Sequence, residues 1–147
     1  MKTVINGCFD LINKGHINLI HLGLKYAQSG TLLVLINSDK SVREMKGTHR
    51  PYDDVVTRGS NIEKIIHKWC QKNRDYLRTK VEIFGTEKEL EKKLERFQPD
   101  MIIRGHDRPV EEITGYGKWP ILIVPRTVDE NGIEVSTTRT AQERGKE

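Results

Sequence analysis

Apolar residues along the chain form five short runs, separated by longer segments with a helical period. The runs occupy residues 2–6, 31–36, 80–84, 101–104 and 120–125. The second run, TLLVLI, has no polar alternation, which is typical of a strand covered on both faces of a parallel sheet. We therefore expect five β-strands, the second of them buried on both faces.

Helical patterns lie between these runs. The first begins near Gly15 and ends before Ser29-Gly30, the others cover residues 53–73 and 87–97, and a terminal helix begins within residues 135–138. Alternating strands and helices predict an α/β fold, a Rossmann-like three-layer sandwich with a five-stranded parallel sheet. The length suits a single domain over residues 1–147. Only the polar stretch 129–134 has the composition of a linker.

Composition narrows the classes of function. Net charge is +4 and the pI is near 9.1, which suits either nucleic acid or small polyphosphates as partners. Basic residues are spread along the chain and aromatic residues make up 6%, so a nucleic-acid partner is not expected. Because the longest apolar stretch is residues 31–36 and no signal-peptide pattern begins the chain, we expect a cytoplasmic protein without a membrane partner.

The loop after the first strand, residues 7–16, reads GCFDLINKGH. Parallel sheets bind ligands at the carboxyl ends of their strands, and a helix N-terminus attracts phosphate. Gly15 permits close backbone approach, and His16 can donate to an oxygen that gains charge. The loop resembles the signature loop of the cytidylyltransferase-like nucleotidyltransferases, Phe-Asp followed by His-x-Gly-His. The resemblance implies a catalytic His16 and five nucleotide-binding residues, Gly7, Cys8, Phe9, Asp10 and Gly15.

Asn13 occupies the position where that family usually has its first histidine. Its amide can donate a hydrogen bond but cannot become cationic. The resemblance implies a catalytic role for Asn13, and a simple helix N-cap is the alternative. Outside this motif, His16 would likewise be only a histidine at the start of a helix.

A second block after the second strand contains Lys46-Gly47, Arg50-Pro51 and Arg58. It is similar to a region of the bacterial heptose-1-phosphate adenylyltransferases, where a Lys-Gly pair and an Arg-Pro pair precede a helix with an arginine. The resemblance implies phosphate contacts for Lys46, as a catalytic residue, and for Arg58, as a nucleotide-binding residue. Taken singly, each has the character of a solvated surface residue.

A third block, residues 98–113, is similar to a run in the same heptose enzymes. The fourth strand ends in Arg104-Gly105, and Asp107 follows. The resemblance implies that these three residues bind the nucleotide, with Asp107 accepting from the ribose or the base. His106 replaces a glycine of the family pattern.

A fourth block joins residues 125–127 to residues 136–138 at the start of the terminal helix. It resembles elements of glycerol-3-phosphate cytidylyltransferase and its relatives, with a longer insert here. Ser and Thr at a helix start can cap the helix or help to hold phosphates. The resemblance implies nucleotide binding by Arg126, Ser136, Thr137 and Thr138.

The four blocks together imply in-line attack by an acceptor phosphate on the α-phosphate of a nucleoside triphosphate, with Mg²⁺ as cofactor. No metal ligand is assigned to the protein. The second and third blocks favour ATP with a sugar phosphate such as a heptose 1-phosphate, whereas the fourth favours CTP with glycerol 3-phosphate. The resemblance also implies a homodimer. The alternative of another class is a nucleotide- or nucleic-acid-binding module without turnover.

Overall fold

Five parallel strands form one sheet in the computed structural model of the protein, which describes residues 1–145. Their bounds are β1 Lys2–Gly7, β2 Thr31–Asn37, β3 Arg78–Phe84, β4 Met101–Gly105 and β5 Ile121–Val124. The spatial order is β3-β2-β1-β4-β5, and every neighbouring pair is parallel. The predicted five-stranded parallel sheet is confirmed.

Five α-helices and one short 3-10 helix connect the strands within the described residues. Their bounds are α1 Lys14–Ala27, α2 Asp39–Lys46, α3 Val55–Asn73, α4 Glu87–Phe97, the 3-10 helix Val110–Glu112 and α5 Thr137–Glu143. The predicted helices correspond to α1, α3, α4 and α5, with ends that differ by one or two residues at most. None of the helices in residues 1–145 has both the length and the apolar character needed to cross a membrane.

The sequence pattern did not predict α2. Val42 and Met45 are its only apolar residues, so it has too few to show a helical period. Its ends are set by caps: Ser38 Oγ accepts a hydrogen bond from the Ser41 N–H, and Gly47 ends the helix with a φ of 104°.

Two apolar cores lie on opposite faces of the sheet. On β1, Ile5 packs with residues of α1 and α3 on one face, and Val4 packs with residues of α4 on the other. Gly23 lets α1 lie close to the sheet, because a Cβ at this position would stand 2.9 Å from Leu32 Cδ1. The predicted three-layer sandwich follows from these two cores.

Residues 127–135 form an ordered turn, which we call the hairpin. Val128 pairs with Glu134 in antiparallel fashion, and the Asp129 carboxylate accepts from N–H groups of the turn. Arg139 of α5 forms an ion pair with Asp129 and anchors the turn. The predicted linker at 129–134 is therefore wrong, because side-chain hydrogen bonds order a segment that lacks apolar periodicity.

Candidate functional site

A cleft of about 340 Å³ opens at the carboxyl ends of β1, β4 and β5. Most of the residues that the sequence pointed to line it: Gly7, Cys8, Phe9, Asn13, Gly15, His16, Lys46, Arg104, Gly105, Asp107, Ser136 and Thr137. The structure does not bring four others into this lining, namely Asp10, Arg58, Arg126 and Thr138.

The signature loop has a backbone shape that its residues do not favour on their own. Phe9 and Leu11 have φ values of 53° and 50°, in the left-handed region that non-glycine residues rarely adopt. Each side chain is only 2% exposed, so apolar burial offsets a backbone cost of about 1–2 kcal/mol per residue. Strained backbone of this kind concentrates at functional sites.

Asp10 lies beneath the cleft. Its completely buried carboxylate accepts from Arg50 Nε at 3.2 Å and from the backbone N–H groups of Tyr52 and Asp53 at 2.9 Å each. The carboxylate is thus occupied by contacts within the chain. The structure differs here from the predicted nucleotide contact and gives Asp10 the role of fixing the signature loop.

Asn13 is the N-cap of α1. Its Oδ1 accepts from the backbone N–H groups of Gly15 at 2.9 Å and His16 at 3.2 Å, while its own backbone N–H donates to His16 Nδ1 at 3.2 Å. This capping box occupies N–H groups at the start of α1, where the sequence predicted a phosphate site. The Asn13 amide Nδ2 has no hydrogen-bond partner among the described residues, and it remains a donor at the cleft.

The capping box also fixes the tautomer of His16. Because Nδ1 accepts from Asn13, the neutral ring carries its proton on Nε2. Burial, together with a smaller effect of the positive charge of Lys46, lowers the pKa of His16 to about 4, while the charge of Asp10 opposes the shift. The ring lies against Phe9, with 5.6 Å between the ring centroids. At neutral pH, His16 is therefore an uncharged, oriented N–H donor.

Lys46 brings a cation to the edge of the cleft at the last position of α2. Its side chain is exposed and has no ion pair within residues 1–145. Burial raises the pKa of the Cys8 thiol, and the charge of Lys46 opposes that shift. Lys46 lines the same cleft as Cys8 and His16, and its charge acts to lower the pKa of both side chains.

Arg58 lies behind the cleft and is completely buried. Its guanidinium donates to the carbonyls of Cys8 and Asn37 at 2.8 Å each, and to the Asp39 carboxylate at 2.7 Å. These contacts join α3 to the ends of β1 and β2 and to the start of α2. Arg58 thus lies outside the cleft lining, and its predicted phosphate contact stays a prediction.

The end of β4 brings three predicted nucleotide-binding residues to the cleft. Arg104 Nη1 donates to Asn6 Oδ1 at 3.2 Å, and Nη2 lies 3.9 Å from Asp107 Oδ1. Burial lowers the pKa of Arg104 and Asp107 opposes the shift, but an arginine stays cationic. A Cβ on Gly105 would meet nothing closer than Asp107 Oδ1 at 3.8 Å, so the backbone there is open to approach.

Ser136 and Thr137 line the cleft at the start of α5, but the chain uses both hydroxyls. Ser136 Oγ accepts from the Arg139 N–H at 3.1 Å as the N-cap. Thr137 Oγ1 donates to the Asp10 carbonyl at 3.0 Å. Thr137 thus ties α5 to the signature loop.

Arg126 and Thr138 lie away from the cleft. Arg126 Nη1 is 3.6 Å from Glu134 Oε2, and the residue lines a separate, shallow groove beside α1. Thr138 is exposed. Neither contacts the space that the other predicted residues enclose.

The cleft offers few protein ligands to a metal ion. Within residues 1–145, no group of three or more His, Cys, Asp and Glu side chains is placed to hold a metal. Asp107 and Glu87 supply carboxylates to the lining. Mg²⁺ commonly binds one or two carboxylates together with substrate phosphates, so this donor set fits an ion that arrives with a triphosphate. The magnesium requirement stays a prediction.

Sequence reasoning assigned no role to several lining residues, among them Asn6, Asn37, Phe84, Glu87, His106 and Arg108. Asn37 and Phe84 end β2 and β3, and His106 follows β4; that position was their only signal. Glu87 is the first residue of α4, and nothing in its local sequence indicates that it lines the cleft.

Residues 4–143 match the family model described as Cytidylyltransferase-like. The chain is 35% identical over 113 residues to the bifunctional protein HldE of Koribacter versatilis, and 31% identical over 111 residues to that of Pseudomonas aeruginosa. These alignments cover 77% and 75% of this chain, but 21% and 20% of the relatives. The chain therefore spans about a fifth of the length of the curated relatives it matches.

Two solved structures share the fold. A lipopolysaccharide core biosynthesis protein from Thermoplasma volcanium aligns with a TM-score of 0.56 and 22% identity, over 85% of this chain and 94% of its own. An Arabidopsis thaliana universal stress protein family member with AMP bound aligns with a TM-score of 0.54 and 12% identity, over 88% and 94%. At these identities the similarity supports the fold alone.

Proposed function

We propose a specific reaction for this chain, which belongs to the cytidylyltransferase-like family and is a nucleotidyltransferase. It transfers the nucleoside monophosphate of ATP to a sugar phosphate such as a heptose 1-phosphate. The observation that carries this proposal is a group of hydrogen-bond donors at the start of α1 and the end of α2. Asn13 Nδ2, the neutral His16 Nε2–H and the Lys46 ammonium all belong to the lining of one cleft.

These donors suit a reaction in which negative charge develops on phosphate oxygens. The acceptor phosphate oxygen forms a bond to the α-phosphorus, and the bond from that phosphorus to the pyrophosphate oxygen breaks. Preorganised N–H donors, a cation and the dipole of α1 stabilise the charge on the α-phosphate oxygens. Mg²⁺, when bound to the triphosphate, supplies charge neutralisation. Because its pKa of about 4 leaves the ring neutral at pH 7, His16 donates a hydrogen bond without acting as a general acid.

A covalent enzyme intermediate is not part of the proposal. Cys8 is the thiol in the lining, and burial raises its pKa, so it stays protonated and weakly nucleophilic. Direct transfer between the two bound substrates then predicts sequential kinetics.

The acceptor is proposed from sequence similarity. The blocks that contain Lys46 and Arg104 resemble heptose-1-phosphate adenylyltransferases over more of the chain than the last block resembles glycerol-3-phosphate cytidylyltransferase. Glycerol 3-phosphate with CTP is the second candidate, and the order of residues 136–138 favours it.

Pyrophosphate release tests the proposal. The purified protein is incubated with each of four nucleoside triphosphates and a panel of sugar and polyol phosphates. We expect pyrophosphate only when both substrates are present, and most of it with ATP and a sugar 1-phosphate. His16→Asn is the matched test variant and should release pyrophosphate more slowly, because its amide oxygen can still accept from Asn13 while the Nε2 donor is lost. Binding of triphosphate without pyrophosphate from any acceptor would favour a binding module and contradict the proposal.

A further inference from the structure

A hydrogen bond between side chains of two separate segments lies at the edge of the cleft. His106 follows β4 and belongs to the lining, whereas Glu134 lies on the hairpin. His106 Nε2 is 3.0 Å from Glu134 Oε1, and Glu134 Oε2 is 3.6 Å from Arg126 Nη1. The His106 and Glu134 side chains are 33% and 42% exposed, so the pair is open to a ligand.

The hairpin holds Glu134 in a defined place. The Val135 N–H donates to the Thr127 carbonyl at 2.9 Å, which closes the base of the hairpin. Arg139 Nη1 lies 3.4 Å from the Glu134 carbonyl and pairs with Asp129 through the other nitrogen of its guanidinium. Glu134 is therefore held by an ordered segment.

This contact determines what His106 offers to a ligand. A carboxylate only accepts hydrogen bonds, so the ring nitrogen that faces Glu134, Nε2, must be the donor. In a neutral imidazole the other nitrogen, Nδ1, is then an acceptor. Within the described residues Nδ1 has no hydrogen-bond partner.

We propose that Glu134 holds His106 in the tautomer whose Nδ1 accepts a hydrogen bond from the exocyclic amino group of adenine or cytosine. This inference rests on the proposed function. With the phosphates at the start of α1, the open backbone at Gly105 gives the nucleoside a path over β1 and β4 toward His106. His106 is the specificity-determining residue, and Glu134 is a positioning residue. Guanine and uracil carry a carbonyl oxygen at the corresponding position, which cannot donate.

Direct binding of the four nucleoside triphosphates tests the base preference. We expect the wild type to bind ATP about tenfold more tightly than GTP, and CTP about tenfold more tightly than UTP, as one discriminating hydrogen bond allows. His106→Asn should retain the preference, because its amide oxygen replaces Nδ1. His106→Gln, which keeps the contact with Glu134 but lacks an acceptor at the Nδ1 position, should reduce it to about twofold.

Glu134→Ala should reduce the preference as His106→Gln does, and the control Glu130→Ala, an exposed acid on the same hairpin, should not. Proton–nitrogen spectra of histidine-labelled protein at about pH 8 give an independent signature of the tautomer. We expect His106 to carry its proton on Nε2 in the wild type and to become a tautomer mixture in Glu134→Ala. An unchanged tautomer in that variant would overturn the positioning role of Glu134.

The outcomes separate this inference from the proposed function. Nucleotide binding and pyrophosphate release with the same base preference in wild type and His106→Gln would overturn the inference alone. Equal weakening of all four nucleotides in His106→Gln would also overturn it, because such a result indicates a contact to ribose or phosphate. Failure of the wild type to bind any triphosphate would overturn both.

Discussion

The two ring nitrogens of His16 have different roles. Nδ1 accepts from the Asn13 backbone and orders the start of α1, while Nε2 remains as a donor in the cleft. We expect His16→Asn to lower turnover by about 10²-fold to 10³-fold, the usual cost of one transition-state donor, with a much smaller change in nucleotide affinity. Steady-state pyrophosphate release and calorimetric binding check the two quantities.

His21→Ala and His67→Ala are the controls for this experiment. Both histidines are exposed on helices and lie outside the cleft. The turnover of the two variants should therefore match that of the wild type. If His16→Asn retained most of its turnover, His16 would only cap the helix. A loss of equal size in all three variants would indicate a general loss of stability.

Asn13 combines a structural and a chemical contribution, and two variants separate them. Asn13→Ala removes the cap and the Nδ2 donor, so we expect about 1 kcal/mol less stability and at least about tenfold lower turnover. Asn13→Asp retains the cap oxygen but loses the donor and adds a negative charge near the triphosphate. It should keep wild-type stability and lose turnover at least as strongly as the alanine variant.

Asn13→His, which restores the family residue, should keep or raise the rate, because an imidazole also donates. Turnover at saturating substrates and denaturant unfolding measure the whole series. Wild-type turnover in Asn13→Asp would show that Asn13 is a helix cap without a catalytic contribution.

The low pKa of His16 makes stability depend on pH. The folded-state value is about 4, below the ordinary value of 6.5, so the unfolded chain binds the proton more readily. The contribution of His16 is fully present above pH 6.5 and is lost as the pH falls toward 4, by up to about 3 kcal/mol. Urea unfolding across this range should show a steeper loss in the wild type than in His16→Asn. Parallel curves would contradict the low pKa.

At the scale of elements, Arg58 joins α3 to β1, β2 and α2. Arg58 is completely buried whereas its partner Asp39 is 35% exposed, so the main cost of Arg58→Ala comes from the Cys8 and Asn37 carbonyls, which lose their donor. Each buried polar group left without a partner costs about 1–3 kcal/mol. We therefore expect a large drop in the free energy of unfolding. The exposed Arg43→Ala on α2 should change it by about 0.5 kcal/mol or less. Normal stability with lost nucleotide affinity in Arg58→Ala would instead support the direct contact predicted from the sequence.

The elements that the sequence predicted well are those with many apolar residues at a regular period, such as α1 and α3. The sequence pattern did not predict the helix α2 or the hairpin, because side-chain caps and ion pairs define them. The position of the site was predictable from the signature loop and the strand ends. The roles of Asp10 and Arg58 were not, because a charged residue has the same appearance in a sequence whether it faces a ligand or a buried partner. The partners of Asp10 lie 40 to 43 residues further along the chain.

At the scale of the whole molecule, the order of the strands brings distant segments to one cleft. β1 lies between β2 and β4, so the signature loop meets Lys46 from one side and Arg104 from the other. In the proposed reaction, a triphosphate and an acceptor phosphate bind side by side in this cleft, without a covalent carrier. The predicted homodimer and the cytoplasmic location remain expectations from the sequence.

Transfer of a labelled α-phosphate tests direct nucleotidyl transfer most directly. The protein is incubated with Mg²⁺, a sugar 1-phosphate and ATP labelled at the α-phosphate, and the label is followed in the acceptor, in free nucleotide and on the protein. We predict that the label joins the acceptor in equal amount to the pyrophosphate released, that both products require both substrates, and that no label stays on the protein. Label on the protein, or its release as AMP without acceptor, would contradict the account.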